Sequence, residues 1–245
     1  MAAQYLAAAG ISFLEAKEDD SHTNLGFSEK AGCLSSRPLN TRGDTLLFSY
    51  RDFSLQWQQE NTLQNFVLDG KSHESVLDWI RARTRKAGFK EIYTYSFHYD
   101  FIYEVEDRFT FELRDEKRLH DLEALRSKAQ AALREFLLKE NLFSEIRIWP
   151  HHFDTGAYTR LPGEQEFAVG LGLAVPDTIC DDHYFYISGY KGGMAIDCTN
   201  FKALSRGEWK HNGFNGAVLP ATSASEELTM QFLHEAMDTY KEAIA

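Results

Sequence analysis

Cysteine is scarce in this chain: Cys33, Cys180 and Cys198 are the only three among 245 residues, and no Cys-x-x-Cys pair occurs. That count supports neither a disulfide framework nor a structural zinc knuckle, and points to free thiols in a reducing cytoplasm. Long apolar runs are also missing, since no stretch approaches the roughly 20 residues that cross a bilayer. The alanine-rich opening lacks a basic leader and is followed by the acidic segment Glu15 to Asp20, so it does not read as a secretory signal. The expectation is a soluble, cytoplasmic protein. Basic residues are in deficit, 26 Lys and Arg against 37 Asp and Glu, a formal net charge of −11. With no basic block to offset it, this balance argues against nucleic acid or an anionic membrane surface as partner. No Gly-x-Ser-x-Gly elbow, His-Glu-x-x-His helix, EF-hand loop or Walker spacing occurs. No low-complexity linker divides the chain.

What is present is ordinary globular composition, 43% hydrophobic and 26% charged, on a chain long enough for a substantial core. The pattern predicts one α+β domain over residues 1–245, a mostly antiparallel sheet covered by helices. Residues 1–42 read as an irregular or partly helical lead-in, and 46–245 as the core. Phe53, Leu55 and Trp57 alternate with polar residues, a turn falls at Gln58 to Asn61, and Leu63 to Leu68 returns as a second strand. Ser72 is a candidate N-cap for a helix that carries Val76, Leu77 and Ile80 and ends at Gly88.

The run Ile92 to Val105 places Tyr93, Tyr95, Phe97, Tyr99, Phe101 and Tyr103 on one parity, which predicts a strand. Leu119, Leu122, Leu125, Ala129, Ala132, Leu133, Phe136 and Leu137 predict a long helix. Strands are expected within Ile146 to Thr159, Phe167 to Val175 and Tyr184 to Ser188. Gly207 to Pro220 reads as a glycine-rich loop carrying Trp209, His211 and Phe214. A last helix starts near Ser223, which has capping-box spacing to Glu226.

The densest polar cluster is Trp149-Pro150-His151-His152-Phe153-Asp154. On a regular strand His152 and Asp154 share a face, their Cα atoms roughly 6.7 Å apart, with His151 opposite. Pro150 favours an edge or a bulge there, and a bulge would shift the parity by one residue. His98-Tyr99-Asp100 repeats the His-aromatic-Asp order. Two such strands side by side, about 4.8 Å apart, would gather two imidazoles and two carboxylates. His98, Asp100, His152 and Asp154 are therefore the candidate ligands of a divalent transition metal, a donor set that suits zinc, iron or manganese. The alternative is that each histidine bonds its aspartate or a carbonyl and steadies the sheet.

Cys180-Asp181-Asp182-His183 reads better as an acidic turn than as a nucleophile pair, because no orienting third residue is evident. Gly170-Leu171-Gly172 lacks the following helix of a phosphate cradle, so close packing or a bulge explains it better. Gly189 to Gly193 reads as a hairpin turn. Trp209, His211 and Phe214 form either a lid over a pocket or a loop pinned by aromatic anchors.

The string Trp149 to Asp154, the strand around Val169 to Gly172, the segment Asp182 to Ser188, and Glu208 to Pro220 together resemble an uncharacterised bacterial family. That family is classed as a domain of unknown function and is marked by the string Trp-Pro-His-His-Phe-Asp. The resemblance covers the C-terminal part of the chain and brings no reaction or cofactor with it. It directs attention to Trp149, His151, His152, Asp154, Trp209 and His211 as ligand-binding candidates.

Three functions follow from these residues. In the first, His98, Asp100, His152 and Asp154 hold a metal that assists hydrolysis. In the second, Tyr95, Phe97, Trp149, Tyr184 and Tyr186 wall a pocket for a small molecule that needs no metal. In the third, the protein is structural or works through its surface, without catalysis. Catalytic residues and oligomeric state are left open.

Overall fold

The computed structural model describes residues 1–100, 108–161 and 166–244. Among these residues the class is α+β, with four α-helices and two antiparallel sheets of five and seven strands. The chain forms two compact units. The first is Met1–Ala124 with Ile148–His151, and the second is Leu125–Arg147 with His152–Ala245.

In the first unit the opening residues are not an irregular lead-in. Ala2–Phe13 is helix α1, with Tyr5, Leu6, Ala7, Ala8 and Ala9 fully buried. A helix apolar on every side has no amphipathic period to reveal it, and its small alanines allow neighbours to approach all round. Strands β1 (Gly26–Ser28), β2 (Cys33–Ser35), β3 (Thr45–Ser49), β4 (Ser54–Gln59) and β5 (Thr62–Val67) follow as an antiparallel meander in that order. The expected hairpin is β4 and β5, paired from Ser54↔Val67 to Gln59↔Thr62. Helix α2 (His73–Lys86) begins where expected, with the Ser72 side chain accepting from the Ser75 amide, and Gly88 follows its C-cap, Ala87. Glu74 in its first turn and Arg83, Arg85 and Lys86 in its last turn complement the helix dipole.

The aromatic run after α2 is a correction. Residues 92–100 join no sheet, while Phe101, Ile102, Tyr103 and Val105 lie outside the described residues. The alternation itself persists in an extended segment, where Tyr95 meets Phe97 at 4.9 Å and Phe97 meets Tyr99 at 5.2 Å between ring centroids. Side chains of α1 and α2 bond two of its backbone groups where a neighbouring strand would have done so. The Thr94 amide donates to Ser12 Oγ of α1, and Arg81 Nε of α2 donates to the Tyr93 carbonyl.

Helix α3 (Glu116–Lys139) carries the chain from one unit to the other, and β6 (Arg147–Ile148) carries it back to Ile148–His151. The second unit then adds β7 (Thr155–Arg160), β8 (Phe167–Ala174), β9 (Tyr184–Lys191), β10 (Met194–Ala195), β11 (Glu208–Lys210), β12 (Gly216–Pro220) and helix α4 (Glu226–Ile244). Strands β11, β12, β9, β8 and β7 lie side by side in that order, and β10 pairs with β9 across the Gly192-Gly193 turn. Both turn glycines have positive φ, 57° and 82°, as a tight two-residue hairpin requires.

The alternation of β8 sends Phe167, Val169, Leu171 and Leu173 into the core, against Leu133 and Phe136 of α3 and Phe232 and Met237 of α4. Two further expectations are corrected here. The glycine-rich segment Gly207 to Pro220 is the hairpin β11–β12, with only residues 211–215 as its loop. The cap of α4 is Ser225, whose Oγ accepts from the Leu228 amide, whereas Ser223 ends a short 3-10 turn.

Candidate functional site

The Trp149 to Asp154 string is a turn, not a strand. Pro150, His151 and His152 form the turn, and β7 starts only at Thr155. Phe153 between them has φ +61°. A bulky residue in the left-handed region is strained by about 1–3 kcal/mol, so neighbouring contacts must hold it there. Arg126 of α3 does so. Its guanidinium lies 4.5 Å from the centroid of the Phe153 ring, donates to the Phe153 carbonyl at 3.3 Å, and donates to Thr155 Oγ1. Period-2 parity therefore fails between His152 and Asp154. The shared strand face expected for that pair is absent for a local reason, the left-handed Phe153.

Division of the chain into two units also divides the string. Trp149 and His151 belong to the first unit, His152 and Asp154 to the second. In the first unit, Gln4 of α1 is the organiser. Its Nε2 donates to the Pro150 carbonyl at 2.8 Å, and its Oε1 accepts from the Tyr99 hydroxyl at 2.8 Å. His151 packs against the rings of Tyr99 and Trp149, at 5.8 and 6.2 Å. His98 lies in the same unit with Nε2 3.1 Å from Asp20 Oδ2, both side chains about half exposed, and Asp100 is exposed. No group of three or more His, Cys, Asp or Glu placed to hold a metal ion occurs among the described residues.

In the second unit Asp154, only 9% exposed, joins Gln130 and Tyr240 as a residue with a buried side-chain polar atom that has no hydrogen-bond partner among the described residues. Its Oδ2 accepts a 2.5 Å hydrogen bond from the Tyr186 hydroxyl. Its Oδ1 is buried and has no hydrogen-bond partner among the described residues. Burial pushes this carboxyl above its ordinary value, against the Tyr186 hydrogen bond, the charge of His152, the residue's own backbone amide and the charge of Arg126. Burial likewise pushes the Tyr186 phenol well above its ordinary range, and the Asp154 charge adds to the shift.

Backbone register explains how the phenol reaches the acid. Gly156 of β7 pairs with Gly172 of β8, and Gly172 with Tyr186 of β9. A Cβ on Gly172 would stand 2.8 Å from Tyr186 Cε1 and 2.4 Å from the Thr155 carbonyl oxygen; one on Gly156 would stand 2.9 Å from the Tyr186 hydroxyl. The ring therefore lies across a floor of two glycines, on the sheet face opposite the helices. Tyr184 and Tyr190 share its parity. The Tyr184 hydroxyl donates to Asp177 Oδ2 at 2.9 Å, and Tyr190 receives a hydrogen bond from Ser188 Oγ at 3.0 Å. Phe214, on the β11–β12 loop, meets the Tyr186 ring edge-on at 6.2 Å.

Trp209 and His211 are placed elsewhere. Trp209 packs on Phe201 and on Tyr240 of α4, at 4.9 and 5.3 Å, and its Nε1 donates to the Lys202 carbonyl. It belongs to β11 and packs on the helix-covered face, whereas Phe214 of the loop meets Tyr186. His211 is exposed, and its charge lowers the Asp197 carboxyl after the larger effect of hydrogen bonds from Thr199. Cys180 to His183 form the expected turn, closed by the Thr222 amide on Asp182 Oδ2 and the Ala221 amide on the His183 carbonyl.

An open groove of about 730 Å³ lies between α4 and residues 200–205. Its Glu235 carboxylate already accepts from the Ser205 amide and hydroxyl.

Sequence reasoning named Asp154 and Tyr186 but not Arg126, and not the two glycines as the floor of the site. A signal for Arg126 existed: it interrupts the apolar stripe of α3 between Leu122 and Ala129, and a charged residue on a buried stripe needs partners. Gly156 carried no such mark, because its role depends on which strands become neighbours.

Comparison with family models, with curated proteins and with solved structures finds no match to this chain.

Proposed function

We propose that the second unit binds a small polar molecule at Asp154, through protein side chains and not through a metal centre. The observation that carries this reading is the buried, unpartnered Asp154 Oδ1. A buried acceptor left unsatisfied costs about 1–3 kcal/mol, and such a cost persists at sites where a ligand or bound water repays it. The surrounding groups suit binding. Tyr186 fixes one carboxylate oxygen, and Arg126 holds the Phe153 carbonyl before the acid and the Thr155 hydroxyl after it.

The metal-assisted hydrolase reading has less support, since His98 pairs with Asp20 and the described residues hold no three-donor group. Kinship with the family marked by the Trp-Pro-His-His-Phe-Asp string remains part of the proposal. So does a cytoplasmic location, which the three free thiols favour. No helix among the described residues is long and apolar enough to cross a membrane. The net charge of −11 favours a small-molecule partner over nucleic acid.

The test is a thermal-shift screen of polar metabolites against the full chain and its Asp154→Asn variant. Compounds that raise the melting temperature of the wild type and not of the variant support the site. A set of hits that stabilises both equally refutes it.

A further inference from the structure

The five-stranded sheet of the first unit ends on β5, and its register fixes which backbone groups that edge leaves unpaired. The Leu68 amide donates to the Phe53 carbonyl at 2.9 Å, and β4 pairs with β5 from Ser54↔Val67 to Gln59↔Thr62 without a break. Bonded and unbonded pairs alternate along an antiparallel ladder, so Phe66, Gln64 and Thr62 are the residues bonded to β4. Leu63, Asn65 and Val67 therefore turn their N–H and C=O groups away from the sheet. No backbone bond from these three residues to another element occurs among the described residues.

Edges of this kind are ordinarily blunted by charge, proline, a bulge or a covering segment. The opposite edge of the sheet is covered, since Leu25, just before β1, exchanges two hydrogen bonds of 2.9 Å with Ile148. Strand β5 has none of these protections. Its sequence Thr-Leu-Gln-Asn-Phe-Val carries no charge and no proline, and its pairing with β4 contains no bulge. Phe66 and Gln64 face α2, where they meet Trp79 and Arg83. On the other face Leu63 and Val67 are 55% and 48% exposed.

This edge is complementary to itself. A two-fold axis through Asn65 is the antiparallel register that uses all three outward residues: Leu63 lies opposite the partner's Val67, Asn65 opposite the partner's Asn65, and Val67 opposite the partner's Leu63. Each such pair exchanges two backbone hydrogen bonds. On the exposed face the leucine and valine side chains then cover each other at a Cβ separation of about 5 Å. Charge agrees with the same axis. Helix α2 runs antiparallel to β5, with Trp79 beside Phe66 and Arg83 beside Gln64, so the axis falls between its two halves. The first half exposes Glu74 and Asp78, and the second exposes Arg85 and Lys86. The two-fold lays the acidic half of one α2 alongside the basic half of the partner's, so opposite signs meet at this edge despite the net charge of −11. From the unpaired register and this complementarity we propose that the chain forms a homodimer through β5, which joins the two five-stranded sheets into one continuous sheet.

Sedimentation of the full chain from about 1 to 300 μM reads the association, a span that brackets micromolar dissociation constants. Two variants attack the edge differently. Asn65→Pro removes the central outward N–H and leaves the ladder to β4 intact. Leu63→Lys with Val67→Lys sets lysine opposite lysine on a face that is already exposed. The wild type is expected to dimerise, and both variants to associate at least tenfold more weakly. A companion chain with Leu63→Glu and Val67→Glu should likewise be monomeric alone, and an equimolar mixture of the lysine and glutamate chains should dimerise again. That rescue depends on register and shows that neither chain has lost its fold.

A wild type that stays monomeric throughout the range overturns the proposal. A dimer that either Asn65→Pro or the lysine pair leaves undiminished also overturns it, because the interface then lies elsewhere. Lysine and glutamate chains that fail to associate when mixed refute the register on which it rests.

Discussion

The Tyr186 hydroxyl donates to Asp154 Oδ2 at 2.5 Å, from a ring that lies over two glycines of neighbouring strands. One residue comes from the middle of β9 and the other from the turn before β7, 32 positions apart in sequence. Most of what can be tested in this protein depends on that pair.

Removing the phenol isolates the acid. Tyr186→Phe keeps the ring on its glycine floor but removes the donor to Asp154 Oδ2. Hydrogen bonds to a charged group are worth about 1.5–3 kcal/mol, so urea unfolding at pH 7 is expected to show a loss of that order. Below the Asp154 titration the loss should shrink, because a protonated acid needs the donor less.

Asp154 itself should lower stability at neutral pH. Its folded-state value lies above the ordinary 3.8, and desolvation is the main cause. A group raised on folding contributes stability that is fully present below the unfolded value and is lost as pH rises through the folded one. Asp154→Asn removes that dependence and keeps an oxygen for Tyr186. The variant should therefore gain on the wild type as pH rises from below 3.8 to 7. Unfolding free energies of the two proteins, measured in parallel across that range, check the sign. An advantage that narrows with rising pH would contradict it.

Two glycines of one strand should respond differently to the same change. Gly172→Ala would set a methyl 2.4 Å from the Thr155 carbonyl oxygen and 2.8 Å from Tyr186, whereas the nearest atoms to a methyl on Gly170 stand at 3.5 Å. The first substitution is expected to cost about 1–3 kcal/mol as overpacking, and the second to stay within about 0.5 kcal/mol. Equal effects in chemical denaturation would show that Tyr186 does not lie where described.

In the first unit, Gln4→Met tests the organiser of Trp149, Pro150 and His151. Methionine nearly conserves volume but supplies neither the donor to the Pro150 carbonyl nor the acceptor for Tyr99. Leaving buried polar groups unpaired costs about 1–3 kcal/mol. Amide exchange should quicken around residues 149–151 if the bonds are made as described, and should be unchanged if they are not.

Several features were legible in the residues because their causes are local. The β4–β5 hairpin, the Ser72 cap, the stripe of α3 and the alternation of β8 each depend on side-chain period or capping chemistry within a few positions. Helix α1 was not legible, because a helix buried on every side has no polar face to set its period. The aromatic run from Tyr93 was legible as parity and not as pairing: alternation fixes which side chains share a face, and nothing in it says whether a strand or a helix lies alongside.

The same division runs through the site. The sequence by itself determined that Trp149 to Asp154 concentrates imidazoles and a carboxylate, on a chain with three cysteines and a net charge of −11. Tertiary structure decided which of those groups act together. A left-handed Phe153, held by Arg126 from a distant helix, turned Asp154 away from strand parity with His152, and strand register brought Tyr186 to it across Gly172 and Gly156. Local sequence specifies periodicity and charge, but the partner of a buried carboxylate is selected by which strands become neighbours, and that is a property of the folded chain as a whole.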